Sequence, residues 1–321
     1  MAGYELKLSL PIKPTPSDED LLFIRQLGVR YVYTWVKKHQ ISVRFIGELK
    51  QRLQMAGLVL YNVGNKDAGK SDSIHLALED RDRRIEDFQR FIEILGSQHI
   101  GVTTFTWEPD NVWSSDPGST RDCITRRVDL EELKTRPLTH GRRYSREELW
   151  QNYSYFVQKI LPVAEAHGVK LALHPNDPPT EELGGVPCLI NSQEAYRKAF
   201  EIGESPSLGM EFCTGCWLEG GESFGSILEG LEQFLDLGKV LIVHFRNVSS
   251  TLPIFTETFL DNGYMDMYQI MKVLVKKRYM GTVTLDHTPR FTKKAGMESA
   301  MAYAIGYMRA LYERALEEVS A

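Results

Sequence analysis

The chain has little that would tie it to a membrane, a nucleic acid or an oxidising compartment. No apolar run approaches the ~20 residues needed to span hydrocarbon. The opening residues, MAGYELKLSLPIKP, lack the basic start and uninterrupted apolar stretch of a secretory signal. A basic surplus is missing too: 38 Lys and Arg stand against 43 Asp and Glu, for a net charge of -5. Such a surface has no excess charge with which to neutralise a phosphate backbone or an anionic lipid face. Four cysteines in 321 residues are too few for a disulfide framework, and in a reducing compartment such residues are free, catalytic or metal-bound. The expectation is a cytoplasmic protein with a small-molecule ligand, no nucleic-acid or membrane partner, and a homo-oligomeric state left open.

What is present is a core and a rhythm. A 42% apolar content can bury a substantial interior. Along the chain an amphipathic helix, a glycine and an apolar strand recur. Residues 17–27 lead through Gly28 to VRYVYTW, 43–56 through Gly57 to LVLYNV, and 84–95 through Gly96 to VTTFTW. Residues 146–167 lead through Gly168 to VKLALH, 193–202 through Gly203 to LGMEF, 224–237 through Gly238 to VLIVHF, and 265–279 to VTLD. With an opening strand at 5–12 and a closing helix at 297–319, this predicts eight strands, each followed by a helix. Strict alternation demands a parallel sheet with right-handed crossovers, and eight units close a barrel. The predicted fold is α/β, a single (β/α)8 TIM-barrel domain over residues 1–321. An open doubly wound sheet is the alternative.

The rhythm breaks at residues 109–145, between the fourth strand and its helix, a connection much longer than usual. It carries Arg121, Arg126, Arg127, Arg136, Arg142 and Arg143, none with an assignable individual role, and it reads equally as a lid or a solvated loop. Ser145 and Glu148 form a capping box that marks its end.

In such a barrel the chemistry sits at the carboxyl ends of the strands. The last four strands end in His174, Cys213, His244 and Asp286. Neighbouring strands lie ~4.8 Å apart, so these side chains can converge on one ion. Two imidazoles, a thiolate and a carboxylate suit a divalent transition metal; by ligand softness zinc comes first, with manganese, iron or cobalt as alternatives. Any one of these residues alone reads as an ordinary core or strand-end side chain; four in succession do not.

Two motifs compete with this reading. Cys213 and Cys216 spell C-x-x-C, but no second pair exists and WLEGGESFG is not expected to open a helix, so a redox role is not favoured and Cys216 reads as a bystander. Residues 64–71, GNKDAGKS, match the phosphate-loop pattern and follow an apolar strand, with Lys70 placed to reach phosphates and Ser71 to hold magnesium. Against nucleotide binding, DSIHLALEDRD is a poor continuing helix.

The blocks LALHPNDPP, EFCTG, VHFRN, FTETF with MDMYQIMKVL, and TLDHTPR, taken in order, resemble bacterial mannonate dehydratases of the xylose-isomerase-like barrel superfamily. The likeness is good over about residues 169–313 and loose before that. It implies loss of water from D-mannonate to give 2-keto-3-deoxy-D-gluconate, with a metal, usually manganese, held at the positions of His174, Cys213, His244 and Asp286. It implies an acid/base role for His287. Arg246 and Arg290 are candidates to clamp the sugar-acid carboxylate, and Asn176, Asp177 and Asn247 are candidate substrate contacts. Two departures stand out: Asn176 replaces a family carboxylate, and Gly296 is followed by Met297 where the family carries a tyrosine. An isomerase or epimerase on the same face is therefore the rival reading, ahead of a nucleotide enzyme or a non-catalytic metal-binding barrel.

Overall fold

The apolar runs form strands between a helix C-terminus and polar loop residues, the first run alone having no helix before it, and helices cover their outer faces. The computed structural model describes residues 4–320. Residues 1–3 and 321, which the expected 1–321 domain and the reading of the amino terminus include, lie outside the described residues. The strands are β1 (Lys7–Pro11), β2 (Tyr31–Val36), β3 (Val59–Asn65), β4 (Val102–Thr106), β5 (Lys170–His174), β6 (Leu208–Cys213), β7 (Val240–Phe245) and β8 (Thr282–Leu285). The helices that follow them are α1 (Asp18–Gln26), α2 (Val43–Met55), α3 (Arg81–Ser97), α4 (Arg146–Ala166), α5 (Gln193–Gly203), α6 (Ile227–Asp236), α7 (Met267–Lys276) and α8 (Gly296–Ser320).

The strand order is β3-β2-β1-β8-β7-β6-β5-β4, and every neighbouring pair in it is parallel. That cyclic order, with the first strand between the second and the last, is a barrel and removes the open doubly wound alternative. The seam between β3 and β4 is drawn together by other bonds. Thr103 Oγ1 donates to the Val63 carbonyl at 2.7 Å, and the Thr106 N–H donates to the Gly69 carbonyl at 2.9 Å.

Helix starts follow the sequence closely. Ser17 with Asp20 and Ser145 with Glu148 form reciprocal capping boxes at α1 and α4. Helix ends follow it less evenly. Gly28, Gly57, Gly168 and Gly238 take positive φ just past their helices, as a C-terminal glycine should. Helix α3 instead runs through Gly96, and α5 takes in Gly203 as its last residue. There the glycine allows close approach: a Cβ on Gly96 would lie 2.7 Å from His167, and one on Gly203 would lie 2.4 Å from Leu208 Cδ2.

The 109–145 insertion is built into the barrel mouth. Gly118–Thr120 and Cys123–Thr125 make a hairpin, and Arg127–Asp129 pairs antiparallel with Ile254–Thr258, which in turn pairs with Asn247–Val248. The segment after β7 therefore serves as a shelf on which the insertion rests. Among the described residues no helix is long and apolar enough to cross a membrane.

Candidate active site

Parallel register brings the expected ligands together. Cys213 and His244 are direct partners across β6 and β7, and His244 aligns with Thr284, two residues before Asp286. The His174 and His244 ring centroids are 5.3 Å apart. Donor atoms of His174, Cys213 and His244 all lie within 4.8 Å of one another. Asp286 joins them, with Oδ1 3.4 Å from His244 Nδ1 and Oδ2 accepting from the Cys213 thiol at 3.8 Å. His174, His244 and Asp286 border a cleft of about 180 Å³ at the strand carboxyl ends, with Cys213 buried behind them; Tyr33, Trp35, Lys70, Thr104, Thr106, Asp177, Glu211 and His287 line it too.

The hydrogen bonds around the imidazoles leave ring nitrogens free to take an ion. His174 Nδ1 lies 2.7 Å from the Pro175 carbonyl; donation there leaves the Nε2 lone pair open. His244 Nε2 lies 2.6 Å from Glu211 Oε1, while His244 Nδ1 is buried without a hydrogen-bond partner. Each ring is thus oriented through its other nitrogen, as metal-bound histidines are. Electrostatics agree. Burial opposes charge on His244, but Glu211 and Asp286 hold its pKa well above the ordinary value. Burial likewise opposes the Cys213 thiolate, yet the Cys216 thiol, the Arg246 guanidinium and both imidazoles hold the thiol well below its usual range. A pocket that stabilises a thiolate and draws cationic charge onto an imidazole suits a divalent cation.

Behind this cluster is a buried ionic network. Arg246 is fully enclosed, and its guanidinium reaches Asp177 at 3.0 Å, Glu219 at 2.6 Å, Glu257 at 2.9 Å and Asp286 at 3.0 Å. Arg126, delivered by the insertion, reaches Asp177 at 2.7 Å and Glu257 at 3.1 Å. Glu257 also lies 2.8 Å from His287 Nδ1. That contact anchors one nitrogen of an imidazole whose ring is about half exposed at the cleft mouth, at 44%. The Asp286 carboxylate, against partial burial and with help from Glu257, raises the His287 pKa to about 9.

Several expected roles change accordingly. Arg246 has no donor to spare for a substrate carboxylate; it is committed to four carboxylates and out of solvent. Asn247 also turns inward, donating to the Leu260 and Met265 carbonyls, and Asn176 bridges the Trp107 carbonyl and the Ile190 N–H. Both shape loops and neither lines the cleft. Arg290 is exposed on the loop after β8 and is not among the cleft-lining residues. Asp177 does line it, though two arginines hold its carboxyl well below the usual range against strong burial. The stretch after Cys213 does open a short helix, Thr214–Gly220, with Cys213 at its N-cap, and Cys216 is no bystander, since Arg246 donates to its sulfur at 3.6 Å.

The phosphate-loop pattern dissolves in three dimensions. Asn65 Oδ1 accepts the N–H groups of Asp67 and Ala68, the Asn65 carbonyl accepts that of Gly69, and the Val36 carbonyl accepts that of Lys66. The amides that would cradle phosphate are already bonded, and the helix that follows, Asp72–His75, has only four residues. What survives of the motif is Lys70, which faces the central cleft.

Against this geometry, a sequence profile of the family described as D-mannonate dehydratase (UxuA) matches residues 124–319. The chain belongs to the D-mannonate dehydratase family. Among similar proteins, the mannonate dehydratase of Streptococcus pneumoniae (strain 70585) is 28% identical over 301 residues, covering 83% of this chain and 81% of that one. The mannonate dehydratase of Oceanobacillus iheyensis is 26% identical over 280 residues, covering 75% and 76%. The crystal structure of mannonate dehydratase from Streptococcus suis serotype 2 superposes with a TM-score of 0.87 at 25% identity, covering 98% of this chain and 96% of that one. A 3-keto-D-glucoside 4-epimerase from E. coli shares the fold at 13% identity and a TM-score of 0.67, covering 95% and 100%.

Met297 opens α8 at the surface, 41% exposed, away from the cleft. Tyr303, further along the helix, donates to Asp261 and meets Arg121. The phenol that does line the cleft is Tyr33 on β2, and burial, then Asp286 and Glu211, raise its pKa and keep it protonated. Sequence reasoning passed over Tyr33, Lys70, Glu211 and Glu257. The alternation in YVYTW, which turns Tyr33 and Trp35 to one face, was the available signal for the first; Glu211, two residues before Cys213, carried the same signal.

Proposed function

We propose that this chain dehydrates a sugar acid, D-mannonate, to 2-keto-3-deoxy-D-gluconate, with a divalent ion, manganese by family resemblance, held by His174, Cys213, His244 and Asp286. The observation that carries the reading is the clustering of His174, Cys213 and His244, with Asp286 against them, at a cleft that His287 also lines, its Nδ1 anchored on Glu257. The supporting finding is family membership, with relatives named as mannonate dehydratases.

The reaction removes a proton beside a carboxylate and expels hydroxide from the next carbon. A bound divalent ion would neutralise the charge developing at the substrate and polarise the departing hydroxyl. The chain supplies the rest. Glu257 fixes the His287 ring through Nδ1, and Nε2, 3.6 Å from Asp286 Oδ1, is left to carry the mobile proton. Tyr33, kept neutral by its surroundings, offers an O–H to the same space. Asp177, neutralised by Arg126 and Arg246, shapes the wall without adding net charge to it.

The test is coupled. Metal is quantified in the purified protein, and formation of a 2-keto-3-deoxy acid from D-mannonate is followed with added manganese. About one ion per chain together with product is the expected result. Bound metal without product, but with interconversion of sugar epimers, would replace dehydration by isomerisation on the same face.

A further inference from the structure

A sugar acid brings a carboxylate into this cleft, and neither arginine expected to clamp it is available there. Arg246 is spent on buried carboxylates, and Arg290 is not at the cleft. Among the described residues Lys70 is the only lysine or arginine that lines it. It is half-buried, and among the described residues no carboxylate lies within ion-pair distance of its ammonium. Its Nζ lies 5.6 Å from the centroid of the Trp35 ring, which also lines the cleft. An aromatic face holds a cation in place while leaving its N–H donors open to an anion.

We infer that Lys70 is the carboxylate-binding residue of the site, selecting aldonates over neutral sugars and alditols. This assignment rests on the sugar-acid reading above and gives it a specificity determinant.

The local chain supports that use. The loop before Lys70 is pinned by the Asn65 carboxamide, and Gly69 packs into the β3–β4 seam, where a Cβ would lie 2.8 Å from the Asn65 carbonyl and 3.1 Å from the Thr104 carbonyl. The Gly69 carbonyl in turn accepts the Thr106 N–H. The residue before Lys70 is thereby fixed against the barrel wall, so the ammonium is presented from a rigid base. The resemblance to a phosphate loop reflects the same needs, a glycine for close backbone approach and a lysine for an anion, met here by a carboxylate.

The experiment measures equilibrium binding of D-mannonate and of D-mannitol, its neutral counterpart, to the manganese-loaded protein, with steady-state kinetics alongside. Lys70→Met is expected to weaken D-mannonate binding by about 10- to 100-fold, the scale of one charge-assisted hydrogen bond, while D-mannitol binding is unchanged. KM should rise more than kcat falls, and Lys70→Arg should recover part of the affinity. Lys70→Gln serves the same purpose should Lys70→Met fail to fold. The assignment is overturned if a folded, metal-loaded Lys70→Met or Lys70→Gln binds D-mannonate within threefold of the parent, or loses D-mannitol affinity equally. It also fails if no aldonate binds the parent, or if the parent binds magnesium ATP and the variant does not. A parent that binds D-mannonate with the expected Lys70 dependence but yields no keto-deoxy acid overturns the dehydratase reading and leaves the carboxylate site standing.

Discussion

Glu211 and Cys213 are two residues apart on β6, so their side chains share the inner face of the strand. The carboxylate meets His244 Nε2 at 2.6 Å, on the side of the ring opposite the orphaned Nδ1. Removing that partner should leave the imidazole free to rotate and to carry its proton on the wrong nitrogen. Glu211→Gln should therefore lower metal affinity by about 10- to 100-fold with little loss of secondary structure, read by competition with a chelating dye and by circular dichroism. Arg246 behaves differently. As the centre of a buried network it should be needed for folding, and Arg246→Met should cost about 3–5 kcal/mol because four carboxylates lose their counter-charge, measured by urea denaturation. A residue that merely clamped substrate would leave the denaturation midpoint unmoved. The proximity of His174, Cys213, His244 and Asp286 was legible because each ends an apolar run. The misplaced asparagines and arginines were not, because whether a polar side chain beside such a run turns outward to substrate or inward to a loop carbonyl depends on partners such as Leu260 and Met265 that lie far along the chain.

At the scale of elements, most of the barrel was readable from the helix, glycine and strand rhythm and from two capping boxes, since those signals are local. The insertion was not. Its short strands have almost no pattern of their own and are defined by pairing with Ile254–Thr258, a contact across more than a hundred residues. Arg126 is what ties this element to the site: it ion-pairs with Asp177 and Glu257 while its side chain is about 10% exposed, and it donates to the Trp113 carbonyl at 2.8 Å. Arg126→Leu should accordingly loosen the insertion more than the barrel. Amide exchange in Arg127–Asp129 and protease cleavage within 109–145 should increase, while exchange in β5 to β7 stays slow. Equal acceleration in both would show that the insertion and barrel open as one unit.

For the molecule as a whole, buried carboxyl groups pull stability in opposite directions with pH. Arg126 and Arg246, against strong burial, hold Asp177 well below the ordinary range; His287 and Arg246, again against burial, bring Glu257 down to about 2. Both contribute stability that is present above the unfolded carboxyl value of ~4 and is lost as pH falls through the folded values. Glu108 is the reverse. It lies at the end of β4 with Oε1 accepting the Asp177 N–H at 2.7 Å and Oε2 without a partner, and burial, only partly offset by Lys70, raises its pKa to about 7. Its protonated form is favoured in the fold, so its contribution is complete below the unfolded value and declines as pH rises through about 7. The metal-free protein should thus be most resistant to urea in mildly acidic solution, with an acid limb set by Asp177 and Glu257 and a decline toward neutrality set by Glu108. Glu108→Gln keeps the acceptor for the Asp177 N–H but cannot ionise. It should leave the acid limb in place and flatten the decline between about pH 4.5 and 7, so that the variant gains on the parent as pH rises. Parallel curves for the two proteins across that window would mean that Glu108 ionises alike in the folded and unfolded chain, and that the neutral-side slope comes from elsewhere. His287, raised to about 9 chiefly by Asp286, is the next group to test, since its contribution would be lost at still higher pH.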